Sequence, residues 1–130
     1  MRISNNSIQV IRFYDKLPPF IGDTEQLKQA FLNIITNAFQ AMRGGGILTI
    51  KTNSRTNEKP LSLHVTFSDT GCGIPKEDIN KIFTSFFTTK EDGIGLGLCI
   101  VERVIKAHGG RIEVGSVLNK GTTFNIVLPV

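Results

Sequence analysis

A chain of 130 residues, 40% of them hydrophobic and 20% charged, has the length and composition of one soluble globular domain. Its net charge is +4, but the 15 Lys and Arg residues are scattered without a basic cluster, so nucleic acid is not an expected partner. No apolar run is long enough to predict a membrane span or a secretory leader. Cys72 and Cys99 form no CxxC motif, so reduced thiols in the cytoplasm are expected.

The first third of the chain predicts a strand followed by a long helix. The β-branched and aromatic residues at 8–14 predict the strand, and Phe20 and Ile21 predict a short second one. Apolar residues at helical spacing predict a helix at 26–43, with N-cap candidates at 22–24 and three terminating glycines at 44–46. Amides and a hydroxyl, rather than the usual Lys and Glu, form its polar face: Gln26, Gln29, Asn33, Thr36, Asn37 and Gln40.

Asn33 and Asn37 are the informative pair on that face. Asparagine is a mediocre helix former, so two of them in mid-helix cost stability that another role should offset. An amide offers its oxygen to a cation and its N–H groups to a phosphate, and a spacing of four residues places both amides on one patch. From this helix alone, a ligand site and a pair of side chains bonded to neighbouring loop backbone are equally good interpretations.

The middle of the chain predicts an antiparallel hairpin and a short helix. Strand-like runs at 47–52 and 61–68 are separated by a polar loop. His64 falls on the polar face of the second run, which favours a half-exposed structural position over a ligand. A short helix is predicted at 76–83, before a loop with aromatic residues.

The last third predicts a helix and a second hairpin, which together define a fold class. The helix opens at the glycine run 93–97 and ends before Gly109, with His108 in its last turn, where a histidine suits the negative helix end. Strands are predicted at 111–116 and 123–130. The order of elements predicts an α+β fold, a two-layer sandwich with a mixed, mostly antiparallel sheet and about three helices on one face.

Two glycine-rich segments are candidates for close approach of backbone to a ligand. Asp69 follows a strand and precedes Gly71 and Gly73, so its carboxylate could accept the exocyclic amine of a purine; a turn-capping Asp is the common alternative. The glycines at 93–97 open a helix, where N–H groups and the positive helix end can meet a phosphate. A P-loop and a Rossmann motif are excluded by the flanking residues, which leaves a flexible lid hinge as the alternative.

Five segments in this order resemble the conserved boxes of the ATP-binding catalytic domain of sensor histidine kinases, whose nucleotide fold (GHKL or Bergerat) is shared with DNA gyrase. The matching segments are 33–38 (N box), 69–73 (first glycine box), 82–87 (F box), 93–98 (second glycine box) and 121–124 (last glycine box). The resemblance covers essentially the whole chain, from about Ile8 to Pro129. Residues 86–90 and the short lid look most like the nitrogen-regulation and sporulation branch.

The resemblance implies that the domain binds ATP and Mg²⁺. Asn37 would supply its amide oxygen to Mg²⁺, and Asn33 would assist the phosphates or a metal-bound water. Asp69 would bind the adenine amine. The other residues implied at the adenine are Gly71, Gly73, Ile74, Leu98 and either Thr122 or Thr123. Those implied at the phosphates are Lys90, Gly93, Gly95, Leu96 and Gly97, and the catalytic residues would be Asn33 and Lys90.

Two departures from the family pattern bear on the reaction. Many members carry a basic residue three positions after the metal-binding Asn, whereas this chain has Gln40, so Lys90 or Arg43 would meet the phosphate charge. In related ATPases and serine kinases, a Glu general base stands four positions before that Asn. Asn33 stands there instead and has no basic lone pair at neutral pH, so the pocket is expected to hold ATP without hydrolysing it efficiently.

The resemblance also implies the partners. The γ-phosphoryl would pass to a histidine on a separate dimeric helical domain, normally in the same polypeptide, with a response regulator downstream. Neither His64 nor His108 lies in an acceptor-like motif. We therefore expect residues 1–130 to be a single catalytic domain, monomeric and cytoplasmic, without the dimerisation and phosphoacceptor domain. The alternatives are an ATP-gated interaction module and a GHKL-type ATPase or serine kinase.

Overall fold

The computed structural model describes residues 7–55, 61–84 and 97–130. The elements in these ranges are β1 (Ile8–Tyr14), α1 (Thr24–Ala41), β2 (Gly46–Arg55), β3 (Ser62–Asp69), a 3₁₀ helix (Lys76–Lys81), α2 (Gly97–Ala107), β4 (Arg111–Val117) and β5 (Gly121–Pro129). The strands form one sheet in the order β1-β2-β3-β5-β4, in which β1 runs parallel to β2 and the other neighbours are antiparallel. The predicted α+β sandwich with a mixed, mostly antiparallel sheet is confirmed.

The hydrophobic core lies between the helices and one face of the sheet. Helix α1 buries side chains one turn apart, and α2 and β5 contribute apolar residues at helical and alternating spacing. The residues that these three elements contribute to the core are Ala30, Ile34, Ala38, Val101, Val104, Ile105, Phe124, Ile126 and Leu128. The ring of Phe83 meets that of Phe124 edge-on at 6.4 Å, which places the segment after the 3₁₀ helix on the same side of the sheet.

On the opposite face of the sheet, polar side chains of neighbouring strands form hydrogen bonds with one another. Thr66 Oγ1 donates to Asn125 Oδ1 at 3.0 Å, and the Asn125 amide donates to Glu113 Oε1 at 3.0 Å. The hydrogen bond from Asn125 and a second one from Arg111 hold the pKa of Glu113 below its usual value. Cross-strand pairs of this kind stabilise neighbouring strands. The helical face therefore carries the core, and the polar pairs tie the strands together on the other face.

The prediction that His64 is half-exposed is wrong, although its place on the polar face of β3 is right. The side chain is 8% exposed. Its Nε2 lies 3.2 Å from Ser62 Oγ, and its Nδ1 lies 3.5 Å from Asn125 Nδ2. The reason is the position of β3, which has β2 on one side and β5 on the other, so neighbouring side chains cover this face as well.

The predicted short strand at Phe20 and Ile21 is also wrong. Ile21 is 97% exposed, and this stretch joins no strand of the sheet. Phe20 instead packs against the ring of His108, with the centroids 6.2 Å apart, and the backbone N–H of Asp23 donates to His108 Nε2 at 2.9 Å. His108 also bonds the Val104 carbonyl through Nδ1 at 2.8 Å. The C-terminal end of α2 therefore fixes the entry to α1.

Helix α1 has the predicted cap and slightly shifted ends. Asp23 is the N-cap, and its Oδ1 accepts from the Gln26 N–H at 3.0 Å. The helix runs from Thr24 to Ala41, two residues earlier at each end than the predicted 26–43. Its start is set by the hydrogen bond of the Asp23 cap, and its end by the non-helical backbone of Met42. The short helix predicted at 76–83 is a 3₁₀ helix over Lys76–Lys81.

Gly121 allows the start of β5 to lie against the end of β3. Its φ is +138°, and a Cβ there would lie 2.0 Å from the Asp69 carbonyl oxygen. We therefore expect Gly121→Ala to lower the free energy of unfolding by about 2 kcal/mol, through backbone strain and overpacking. Gly115→Ala is the matched control, since a Cβ at Gly115 meets nothing within 4 Å. Equal urea midpoints for the two variants would contradict this prediction.

Candidate functional site

Asp69 lies where the end of β3 meets the start of β5. Its side chain is 7% exposed, and its Oδ1 accepts two backbone N–H groups, from Gly71 at 2.8 Å and from Thr122 at 3.2 Å. Donors from two separate segments fix the orientation of the carboxylate. An acidic group held in this way can recognise a hydrogen-bond donor on a ligand with a defined direction.

The loop after Asp69 is clamped between α1 and the β4–β5 turn. The Cys72 N–H donates to the Ala41 carbonyl at 3.1 Å, and the Cys72 carbonyl accepts the Asn119 N–H at 2.7 Å. A Cβ at Gly71 would lie 2.6 Å from the Ala41 oxygen, and one at Gly73, which has φ +75°, would lie 2.4 Å from the Val117 oxygen. The two glycines are thus required by close approach to the protein's own backbone.

Ser116 is a site residue that the sequence reasoning missed. Its Oγ accepts the Ile74 N–H at 2.8 Å, lies 2.8 Å from Thr122 Oγ1 and donates to the Gly121 carbonyl at 3.0 Å. It therefore connects the glycine loop to the start of β5 beside Asp69. The signal that could have found it is the register of the second hairpin, in which Ser116 stands opposite Thr122.

Thr122 and Thr123, the two alternatives predicted near the adenine, have different surroundings in the structure. Thr122 is 5% exposed, and its N–H bonds Asp69. Thr123 is the register partner of Ser68, and the two hydroxyls lie 2.9 Å apart on the sheet face away from the helices. Because neighbouring residues in a strand point to opposite faces, Thr123 does not share the face of Asp69. Of the two threonines, Thr122 is the one that contacts Asp69.

Helix α1 contributes the two asparagines, both half-buried. Asn33 Oδ1 accepts from Gln29 Nε2 at 2.9 Å, and Asn33 Nδ2 donates to the Gly97 carbonyl at 3.3 Å, which joins α1 to the first residue of α2. Asn37 lies one helical turn nearer to Ala41, whose carbonyl holds the glycine loop. Helix α1 thus bridges the loop after Asp69 and the start of α2.

Of the remaining predicted site residues, three lie in the described ranges and four lie outside them. Ile74 and Leu98 are half-buried and pack against the core. Gly97 begins α2, and a Cβ there would lie 3.9 Å from the nearest atom, Asn33 Cβ, so crowding does not demand a glycine at this position. The predictions for Lys90, Gly93, Gly95 and Leu96 lie outside the described residues.

The donor chemistry of the site suits a hard cation that needs few protein ligands. In the described ranges, no three His, Cys, Asp or Glu side chains group together as a metal centre. An amide oxygen such as that of Asn37 is a ligand that Mg²⁺ accepts while it keeps waters and phosphate oxygens. The residues present therefore fit Mg²⁺ held together with a phosphate ligand, with Asn37 as the residue that would hold it.

A buried, oriented carboxylate, an amide-faced helix and the start of a second helix thus lie together in one part of this α+β domain. The sequence profile of the "Histidine kinase-, DNA gyrase B-, and HSP90-like ATPase" family matches residues 22–130. The chain belongs to this family of ATPases, which confirms the predicted resemblance.

Relatives and solved structures that are similar to this chain include histidine kinases. Sporulation kinase C of Bacillus subtilis is 42% identical over 109 residues, which is 84% of this chain and 24% of that protein. The catalytic domain of histidine kinase ThkA superposes with a TM-score of 0.81 at 31% identity, covering 95% of this chain and 79% of that one. Full-length ShkA in complex with AMPPNP gives 0.81 at 30% identity, covering 94% and 25%. The chain thus spans about a quarter of the length of this curated relative.

None of the helices in the described part of the chain has the length and apolar character needed to cross a membrane.

Proposed function

We propose that this chain is the ATP-binding catalytic domain of a sensor histidine kinase, which binds Mg-ATP and donates the γ-phosphoryl group to a histidine on a separate helical domain. The observation that carries the proposal is the arrangement around Asp69. A buried carboxylate, oriented by backbone N–H groups from two segments, lies beside the helix that carries Asn33 and Asn37. The resemblance to histidine kinase catalytic domains supports it over the whole fold.

In this proposal the adenine lies at the Asp69 end of the site. The carboxylate accepts the exocyclic amine, and Thr122 supports it from β5. The backbone of Gly71 and Gly73 shapes the loop, while Ile74 and Leu98 offer apolar surface to the purine ring. Burial of Asp69 makes this contact selective, because a ligand group that cannot donate would be placed against a buried carboxylate oxygen without forming a hydrogen bond.

The phosphates and Mg²⁺ lie at the asparagine end. Asn37 holds the cation through its amide oxygen, and the cation neutralises charge on the phosphate oxygens. Asn33 and Lys90 act on the phosphates, together with Gly93, Gly95, Leu96 and Gly97. The catalytic contribution of the chain is positioning and charge stabilisation.

Asn33 favours transfer over hydrolysis. Its amide has no basic lone pair that could deprotonate a water molecule. Its two polar atoms also contact Gln29 and the Gly97 carbonyl, which gives it a role in joining the two helices. The bound ATP is therefore kept for an acceptor supplied from outside the pocket.

The acceptor lies on another domain in this proposal. His64 is buried among Ser62 and Asn125, and His108 bonds both Asp23 and Val104, so both histidines serve the fold. A separate dimeric helical domain of the same polypeptide supplies the reacting histidine, and a response regulator receives the phosphoryl group afterwards. In this proposal the catalytic domain itself is cytoplasmic and monomeric.

The test is a phosphoryl-transfer assay with γ-labelled ATP. We expect label to appear on the separately produced helical domain of the same kinase when this chain and Mg²⁺ are present, and the bond to be acid-labile and alkali-stable, as a phosphohistidine is. A helical domain whose acceptor histidine is replaced by glutamine is the control. Label on that control, or nucleotide binding without transfer to any acceptor, would contradict the proposal and favour an ATP-gated interaction module.

A further inference from the structure

The hydroxyl of Ser116 uses all of its hydrogen-bonding capacity. A serine hydroxyl has one proton and two lone pairs. The Ile74 N–H can only donate to it, and the Gly121 carbonyl can only accept from it, so one lone pair and the proton are committed. The third neighbour, Thr122 Oγ1 at 2.8 Å, must therefore be the donor in its contact with Ser116.

This assignment fixes what Thr122 can offer to a ligand. Its hydroxyl proton points at Ser116, so its oxygen can only accept on the side of the Asp69 carboxylate. The backbone N–H of the same residue is bonded to Asp69 Oδ1, which keeps the two groups next to each other. The start of β5 thus offers a hydroxyl oxygen that can only accept, on the residue whose backbone N–H is bonded to the carboxylate.

We propose that Ser116 is a positioning residue that sets the preference for 6-aminopurine over 6-oxopurine nucleotides by holding the Thr122 hydroxyl proton away from the base. An exocyclic amine donates to both acceptors, whereas a carbonyl at the same position meets two groups that cannot donate to it. The inference rests on the proposed function, because it requires the base to lie against Asp69.

The experiment compares ATP with ITP, which carries a carbonyl in place of the 6-amino group. We expect the wild type to prefer ATP, and Ser116→Ala to reduce the ATP-to-ITP affinity ratio by about tenfold, the value of one hydrogen bond. Without Ser116 the Thr122 hydroxyl can turn and donate to the ITP carbonyl. A purely structural role would weaken both nucleotides equally and leave the ratio unchanged.

Three further variants make the result specific. Ser68→Ala removes a Ser–Thr hydroxyl pair of similar length, 2.9 Å, from the opposite face of the sheet and should leave the ratio at the wild-type value. Adding Thr122→Val to Ser116→Ala removes the proton that could turn, so the ratio should rise again. Ser116→Thr keeps the hydroxyl and should retain the preference, which provides a test if Ser116→Ala does not fold.

The outcomes separate this inference from the proposed function. A wild type that binds neither nucleotide overturns the proposed function. A wild type that prefers ATP, combined with an unchanged ratio in folded Ser116→Ala, overturns only the role of Ser116. Both affinities are measured by calorimetry in the same Mg²⁺ buffer, with thermal melting to show that each variant is folded.

Discussion

Replacing Asn37 by alanine should remove the effect of Mg²⁺ on ATP binding and slow phosphoryl transfer by about a hundredfold or more, because the cation loses its ligand from the protein. The wild type should bind ATP more tightly with Mg²⁺ than with a chelator. In the variant the two affinities should become equal, at the value that the wild type shows with the chelator. Calorimetry gives the affinities, and γ-labelled ATP gives the transfer rate.

Asn37→Ala should leave the helix itself intact, because alanine has a high helix propensity. Asparagine is less favourable than alanine in a helix interior, so the variant should not lose α1 through propensity. Thr36→Ala, at the neighbouring exposed position of the same helix, is the matched control and should leave both measurements unchanged. Equal affinity with and without Mg²⁺ in the wild type itself would refute the assignment of Asn37.

Local sequence signals predicted the elements that carry the site. The periodicity of α1 and the cap at Asp23 each depend on residues a few positions apart, and the structure has both. The alternation in β3 predicted the strand itself, but not the burial of Ser62 and His64 on its polar face. The short strand at Phe20 and Ile21 failed because β-type residues form a strand only beside a partner. Here the partner of Phe20 is a histidine ring 88 positions away at His108.

The parts of the site that the sequence did not predict depend on register between distant strands. A shift of one residue decides whether Thr122 or Thr123 faces Asp69, since alternate residues point to opposite faces. His64 is buried by Asn125, which is 61 positions away, and Ser116 meets Ile74 across 42 positions. Such contacts follow from the order of strands in the sheet, which local patterns do not determine.

Helix α1 forms hydrogen bonds with the segments around the site near its start, its middle and its end. His108 bonds the backbone at its start, Asn33 bonds the Gly97 carbonyl in its middle, and the Ala41 carbonyl bonds the Cys72 N–H at its end. The metal-binding position proposed for Asn37 lies between the second and the third of these contacts. In the proposed function, the helix therefore fixes the distance between the adenine end and the phosphate end of the site.

Asp69→Asn should lower ATP affinity by about a hundredfold, in line with the loss of a hydrogen bond to a charged group. The amide oxygen of asparagine can still accept the Gly71 and Thr122 N–H groups, so the loop should keep its conformation. Its other polar atom is then an NH₂ group, which cannot accept from the adenine amine. The same NH₂ group can donate to a 6-carbonyl, so relative affinity should move from ATP toward GTP.

Glu113→Gln is the control for Asp69→Asn, because it removes a carboxylate from the opposite side of the sheet, where Glu113 accepts from Asn125. It should change neither the affinity for ATP nor the ratio of ATP to GTP. Asp69→Ala provides a second comparison, since it leaves two buried N–H groups without their acceptor and should also lower the melting temperature. If Asp69→Asn keeps the wild-type discrimination between ATP and GTP, the base is not read by this carboxylate, and the adenine must be placed elsewhere in the fold.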